Sequence, residues 1–140
     1  MDLNLILTIG NANDPADLGT PPPNVFIERF VAQDLLLPHV SAVVTHAGSG
    51  SMLAALAQEV PTLMLPRAAD QYENAHACRS FGAARMLIPA QLTVDLLAAE
   101  LQLVLSDQSY AERARLVREQ IITLPTPAEV AHSLAEVREG

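Results

Sequence analysis

Cysteine and aromatic residues are scarce in this 140-residue chain, which has one cysteine, no tryptophan, two tyrosines and three phenylalanines. A lone cysteine, Cys78, excludes an internal disulfide and favours a reducing compartment. We expect it to be a small buried side chain on a helix rather than a reactive thiol. With so few aromatic rings, the core has to be built from aliphatic side chains and methionine, which fill the layers between helices and a sheet.

Basic residues and long apolar runs are also lacking. Eight Lys and Arg stand against sixteen Asp and Glu, and the net charge of −8 argues against a nucleic-acid partner. A small phosphorylated ligand is compatible with this charge, because N–H groups at a helix start bind phosphate without basic side chains. No apolar run reaches the ~20 residues of a membrane span, and residues 1–4 lack the basic start of a secretory signal. We therefore expect a cytoplasmic protein.

Short apolar runs alternate with helix-forming runs along the chain, and half of the residues are hydrophobic. Buried strands are predicted at residues 3–9, 25–30, 41–45, 62–65 and 85–88, with a loop at 11–24. Helices are predicted at 34–37, 52–59, 70–81, 94–105, 110–122 and 128–139; Thr93 and Ser109 are expected N-caps, and Pro127 lies in the first turn of the last helix. The alternation predicts one α/β domain over residues 1–140, a Rossmann-like, mostly parallel sheet with helices on both faces.

The most informative segment joins the third strand to the second helix and reads His46-Ala47-Gly48-Ser49-Gly50-Ser51. A helix start directly after a strand presents unpaired N–H groups at the edge of the sheet where open α/β folds bind ligands. Gly48 and Gly50 let the backbone approach a phosphate closely, and His46 can donate a ring N–H. Ser49 and Ser51 can add hydroxyl donors or cap the helix. The alternatives are glycines that serve only packing and a structural histidine.

A second polar pair, Asp70 and Gln71, follows the next strand and is expected beside the first segment. A carboxylate and an amide side by side suit vicinal hydroxyls, because the carboxylate accepts hydrogen bonds and the amide donates or accepts them. The alternative is that Asp70 only caps the helix that follows. The segment at 46–51 is neither a Walker loop, since no Lys follows the glycines, nor a dinucleotide fingerprint, since Leu53 stands where that pattern has its third glycine.

Together, these motifs resemble those of family 1 glycosyltransferases of the two-lobed GT-B class, in the C-terminal lobe that binds the nucleotide-sugar donor. The likeness is strongest to the bacterial branch that glycosylates macrolides and other natural products. It runs from about residue 3 to the end of the chain. The residues that carry it are Phe30-Val31-Ala32-Gln33, Leu36-Leu37-Pro38, the strand and turn from Val43 to Ser51, Val60-Pro61, Pro66 and Asp70-Gln71.

The resemblance implies three groups of site residues. Phe30, Val31 and Gln33 would lie at the nucleobase. Asp70 and Gln71 would bind hydroxyls of the donor sugar. The diphosphate would be held by His46, Gly48, Ser49, Gly50 and Ser51. The family needs no metal or other cofactor, since the helix start and the histidine take the place of a cation beside the departing diphosphate.

Two departures from plant members of the family bear on the nucleotide. A glutamate that grips the ribose in those enzymes is replaced by Ala54, which suggests a deoxyribose or a loosely held ribose, and hence a thymidine diphosphate sugar. Phe30 stands where they have tryptophan, so stacking on the base is expected to be less extensive.

The family's catalytic base lies in the N-terminal lobe, and we assign no catalytic residue in this chain. His39, His76 and His132 are expected to have structural or surface roles. The first strand and helix of the C-terminal lobe are also lacking, which would leave two strand edges unpaired. We therefore expect self-association or dependence on another chain, such as one that supplies the acceptor lobe.

The function implied is the donor-binding portion of a metal-independent, inverting glycosyltransferase that transfers a hexose from a UDP or dTDP sugar to an acceptor hydroxyl. Alone, the chain would be inactive. The alternative is a non-catalytic module that binds a nucleotide sugar or regulates a full-length relative.

Overall fold

Strands and helices alternate through the part of the chain that the computed structural model describes, residues 3–137. Short 3-10 turns lie at Pro15–Leu18, Leu37–His39 and Pro89–Gln91. The strands and helices are β1 (Leu5–Thr8), β2 (Val25–Glu28), α1 (Gln33–Leu36), β3 (Val43–Thr45), α2 (Ser49–Ala57), β4 (Thr62–Met64), α3 (Gln71–Phe81), β5 (Ala84–Met86), α4 (Val94–Ser106), α5 (Ser109–Ile121) and α6 (Pro127–Val137). Every predicted strand and helix is thus present, most of them with shifted ends, and residues 138–139 of the last predicted helix lie outside the described residues.

All strand pairs in the described chain are parallel, as predicted, but the strands form two sheets rather than one. β1 pairs with β2, with Leu5 opposite Val25. β4 lies between β3 and β5, with Thr62 opposite both Val43 and Ala84. Within residues 3–137, β1 and β3 each pair with a single strand. No described strand joins β1 to β3, so each of these strands has one open edge, and the expectation of two unpaired strand edges is confirmed.

The core lies on the two faces of β4, whose three residues are fully buried. Leu63 packs with Leu87 and Val104 on the side of α4. Met64 belongs to a cluster that draws on α2, α3 and α5 on the opposite side, and this cluster includes Cys78. Helices therefore cover both faces of the three-stranded sheet, and the prediction of a buried Cys78 is confirmed. Burial raises the pKa of its thiol.

β1 is apolar but not buried, contrary to the prediction. Leu5, Ile6 and Leu7 are each 40% exposed, so neither face of the strand is covered. The physical reason is that the helices pack on the sheet of β3, β4 and β5, and β1 has its main contacts with β2. α6 is similarly uncovered: its described side chains are all exposed.

The predicted helix starts are confirmed at Thr93 and corrected at two other positions, Ser109 and the start of α2. Thr93 caps α4 as predicted, its hydroxyl accepting from the Leu96 N–H at 3.2 Å. Ser109 is the first residue of α5 rather than its cap, and its N–H donates to the carboxylate of Asp107 at 2.9 Å. α2 begins at Ser49, three residues before the predicted start. The α2 shift matters most, because it places the serines and Gly50 inside the first turn of the helix.

The side chain of Arg85 connects β5, an edge strand of the three-stranded sheet, to two helices. Arg85 of β5 donates to Glu100 of α4 through Nη2 (2.8 Å) and Nε, and to the Tyr110 hydroxyl of α5 through Nη1 (2.9 Å). The hydrogen bonds from Arg85 hold the pKa of the Glu100 carboxyl below its ordinary value. Within residues 3–137 no helix combines the length and apolar character that a membrane crossing requires.

Candidate functional site

The turn between β3 and α2 leaves backbone N–H groups without partners. The first hydrogen bond of α2 runs from the Met52 N–H to the Gly48 carbonyl at 3.0 Å. The N–H groups of Ser49, Gly50 and Ser51 precede it, and within residues 3–137 none of them meets an acceptor. Ser49 and Gly50 are exposed to solvent and Ser51 is half-buried. We call this helix start, together with the His46 ring, the cradle.

His46 lies against Gly48 within the cradle. A Cβ placed on Gly48 would stand 2.6 Å from His46 Nε2, closer than two such atoms approach in proteins. The backbone angles of Gly48 are ordinary (φ −62°, ψ 138°), so the glycine is needed for the space it leaves and not for its conformation. Gly50 has no atom within 4 Å of the corresponding position. The backbone at Gly50 therefore faces open space that a ligand can enter.

Ala47, between His46 and Gly48, has an unusual backbone conformation. Its φ is +67°, in the left-handed region that residues with a Cβ rarely occupy. Ala47 is fully buried, and its carbonyl accepts a hydrogen bond of 3.0 Å from the side-chain amide of Asn74. This conformation turns the chain from β3 into α2 and so sets the direction in which the cradle opens.

The second polar pair lies at the start of α3, next to the cradle. Asp70 Oδ2 accepts from Asn74 Nδ2 at 3.1 Å, and this amide also reaches Ala47. Asp70 occupies the N-cap position of α3, but its backbone is helical and its carboxylate accepts no backbone N–H of that helix within the described residues. Gln71 Oε1 accepts from the N–H groups of residues 67 and 68, at 2.9 and 3.1 Å, which leaves its NH₂ group directed elsewhere.

The predicted nucleobase segment approaches the cradle through Gln33. Its Nε2 donates to Ser51 Oγ at 3.2 Å and joins the start of α1 to the first turn of α2. Phe30 is 71% exposed, so most of its surface is available to a partner. Val31 is half-buried. Gln33 thus contacts the start of α2 directly, and Asp70 is linked to it through Asn74. The roles of all the predicted residues toward a ligand stay predictions.

Asn74 is the site residue to which the sequence pattern assigned no role. It stands four residues after Asp70, the spacing that places two side chains on the same face of a helix. Its contact with Ala47 crosses 27 positions of sequence and carries no local signal.

A cavity of about 470 Å³ lies elsewhere, beside β5, and shares no residue with the cradle. Its charged lining includes Arg85 and Glu100, which satisfy one another. The cradle instead presents adjacent N–H groups without acceptors among the described residues, and we place the candidate site there. Among residues 3–137, no three His, Cys, Asp or Glu side chains are grouped so that they could hold a metal ion.

Comparison with known proteins agrees with the motifs. The family model described as erythromycin biosynthesis protein CIII-like, C-terminal domain, matches residues 1–137. The elloramycin glycosyltransferase ElmGT of Streptomyces olivaceus is 38% identical over 134 residues, which cover 95% of this chain and 33% of that protein. The oleandomycin glycosyltransferase of Streptomyces antibioticus is 35% identical over 118 residues, 84% of this chain and 27% of its own length.

Solved structures show the same relationship. The glycosyltransferase VinC, solved in complex with dTDP, superposes with a TM-score of 0.91 at 28% identity, covering 99% of this chain and 35% of that one. The chain thus spans about a third of the length of the relatives it matches. The chain belongs to the family of erythromycin biosynthesis protein CIII-like C-terminal domains, and its fold is that of the C-terminal domain of GT-B natural-product glycosyltransferases.

Proposed function

We propose that the chain binds a nucleotide diphosphate sugar at the cradle and supplies the donor half of a glycosyl transfer reaction. The observation that carries the proposal is the grouping of three free N–H groups and an exposed imidazole at the start of α2, with the Asp70–Gln71 pair beside them at the start of α3. Ala47 is the one fully buried residue between 46 and 51, so an anion can reach these donors.

The chemistry of the cradle suits a diphosphate. Aligned peptide dipoles give a helix N-terminus roughly half a positive charge, and free N–H groups direct hydrogen bonds at the anion. In transfer, the bond between the anomeric carbon and the diphosphate oxygen breaks, and negative charge develops on that oxygen. Donors fixed beforehand at that position stabilise the charge without reorganising. We propose that these groups do so without a metal ion or another cofactor.

The free groups of Asp70 and Gln71 suit the sugar. Asp70 Oδ1 has no hydrogen-bond partner within the described chain, and the Gln71 NH₂ group donates none there. A hydroxyl that donates to the carboxylate and accepts from the amide would be held at two points. Many hexoses offer such a hydroxyl pair, so these two residues orient a sugar without selecting one.

We propose dTDP as the nucleotide portion. Ala54 brings no carboxylate to the first turns of α2 to bind a ribose 2′-hydroxyl, and the relative VinC is solved with dTDP. The exposed ring of Phe30 offers a stacking surface for the base. A calorimetric comparison of dTDP and UDP tests this choice: we expect dTDP to bind more tightly, and a strong preference for UDP would contradict it.

The binding site for the acceptor and the catalytic base are assigned to another lobe. An acceptor hydroxyl would attack the anomeric carbon from the side opposite the diphosphate, inverting its configuration, and its proton would pass to a base on that lobe. Two of the histidines, His39 and His76, are exposed and outside the cradle. A location in the cytoplasm stays a prediction from the sequence.

Titration of the chain with dTDP, UDP and dTMP tests donor binding directly. We expect saturable binding of dTDP, and a rise of the melting temperature with its concentration, because a ligand of the folded state stabilises it. His46→Ala removes one donor to a charged group, worth about 1.5–3 kcal/mol, and should weaken dTDP roughly 10- to 100-fold. His76→Ala, an exposed histidine of α3, is the control and should bind like the wild type. Absence of saturable binding to any nucleoside diphosphate would refute the function.

A further inference from the structure

We propose that Asn74 is a positioning residue that holds the cradle open for the diphosphate and ties it to the sugar-binding carboxylate. The inference rests on the proposed function and extends it to a residue that does not itself reach the ligand. Asn74 is half-buried on α3, and one amide nitrogen, Nδ2, donates both to the Ala47 carbonyl (3.0 Å) and to Asp70 Oδ2 (3.1 Å).

The chemistry of this position requires an amide donor. Both neighbours of Nδ2 are acceptors, a backbone carbonyl and a carboxylate, and an NH₂ group has one hydrogen for each of them. A carboxylate at position 74 would face two acceptors with no hydrogen to offer. An alanine would leave the fully buried Ala47 residue with its carbonyl unpaired. Asparagine therefore meets both needs, and its orientation is set by the two acceptors.

Ala47 needs this restraint because its own conformation is unfavourable. A residue with a Cβ at φ +67° is held there only where its surroundings favour it. The Ala47 carbonyl accepts its hydrogen bond from the side chain of Asn74, which belongs to a helix whose Ala75 and Cys78 lie in the core. Relaxation of Ala47 toward negative φ would rotate the peptide that leads into Gly48, and with it the free N–H groups of α2.

The second bond orients Asp70. With Oδ2 held by Asn74, Oδ1 is the oxygen left for a sugar hydroxyl. The same amide thus sets the relative position of the phosphate-binding and sugar-binding groups, which lie on different helices. A merely structural role would affect stability and leave the selectivity among ligands unchanged.

The test measures the binding of dTDP and of dTMP to the full chain by calorimetry. The ratio of their dissociation constants shows how much the second phosphate contributes to binding at the cradle. Asn74→Ala should lower the preference for dTDP over dTMP at least roughly tenfold, the lower end of the range for one hydrogen bond to a charged group. Asn74→Asp should lower it at least as much. Asn24→Ala is the matched control, since it also removes an amide bond to a backbone carbonyl, that of Leu3 at 2.8 Å, and it should leave the ratio unchanged.

Ala47→Gly provides the rescue. Glycine adopts positive φ without the steric penalty, so the double variant Asn74→Ala/Ala47→Gly should recover a large part of the lost preference for dTDP. A structural role predicts the opposite pattern, a lower melting temperature with an unchanged ratio and no rescue. An unchanged ratio in a folded Asn74→Ala variant would overturn the proposal.

Hydrogen exchange separates this proposal from the proposed function. In the ligand-free chain, Asn74→Ala should speed exchange of the N–H groups of residues 47–52, and Ala47→Gly should slow it again. If the wild type binds no nucleotide, the proposed function fails, and the exchange result alone decides whether Asn74 holds the cradle. Unchanged exchange over residues 47–52 would overturn the positioning role whatever the ligand result.

Discussion

Replacement of Gly48 by alanine should displace the imidazole of His46 while the fold persists. The backbone at Gly48 (φ −62°, ψ 138°) accepts alanine without strain. The added Cβ would stand 2.6 Å from His46 Nε2, with two further ring atoms at 3.3 and 3.4 Å. Because ordinary contact begins at about 3.4 Å, the ring must retreat by about 0.8 Å, the difference between 3.4 and 2.6 Å.

That displacement is large on the scale of a hydrogen bond. A bond of ~2.9 Å lengthened by that amount exceeds the upper limit of ~3.2 Å for an N–H donor, and the interaction is lost. Loss of a donor to a charged phosphate costs about 1.5–3 kcal/mol. Gly48→Ala should therefore weaken dTDP roughly 10- to 100-fold. The melting temperature should fall only modestly, since even the replacement of a polar N-cap residue by alanine typically costs only about 1 kcal/mol.

A double-mutant cycle with His46→Ala identifies the cause. Once the ring is gone the added Cβ loses its three nearest contacts, all of them ring atoms, so Gly48→Ala should have little effect on dTDP binding in the His46→Ala background. The melting temperature should fall by a similar amount in both backgrounds. Equal losses of dTDP affinity in the two backgrounds, or no loss beside the intact His46, would refute the reasoning.

Three further predictions concern the pH dependence of stability, binding of the nucleobase, and self-association. Hydrogen bonds from Arg85 hold the pKa of Glu100 below its ordinary value of 4.5, so this pair stabilises the fold above that pH and the gain is lost as the pH falls through the lowered pKa. In thermal melts, Glu100→Gln should lower the free energy of unfolding by about 1 kcal/mol at pH 7 and by less in acid. Glu119→Gln, from an exposed ion pair, is the control and should change it little. Equal melting temperatures for Glu100→Gln and the wild type at pH 7 would contradict this. Phe30→Ala should weaken dTDP by about 1–3 kcal/mol in calorimetry without lowering the melting temperature, because the ring is 71% exposed; Leu134→Ala is the exposed control, and unchanged affinity would remove Phe30 from the site. The open edges of β1 and β3 and the exposed Leu5–Leu7 run predict self-association in light scattering, and a monodisperse, cooperatively melting monomer would argue against it.

Local patterns in the sequence suffice to predict the strands, the helices and the grouping of the cradle with Asp70 and Gln71. Each of these follows from a short run of residues and from the rule that parallel strands end at one edge of a sheet. The confirmed cap at Thr93 and the left-handed Gly82 that ends α3 are equally local.

Features that depend on distant contacts escape such patterns. Ser49 and Gly50 are weak helix formers, yet they lie in the first turn of α2 because Leu56 anchors that helix in the core. The left-handed Ala47 and its bond to Asn74 join residues far apart in sequence. β1 is apolar enough for burial, but whether it is covered depends on what packs beside it, which an apolar run does not specify.

Binding of a diphosphate by the start of α2 is the central claim, and NMR titration of the ¹⁵N-labelled chain with dTDP tests it most directly. We expect saturable shifts of the N–H signals of Ser49, Gly50 and Ser51 and of the His46 ring, with smaller shifts for thymidine, which has no phosphate. Shifts confined to other parts of the chain, or equal shifts with thymidine and dTDP at these positions, would contradict the claim.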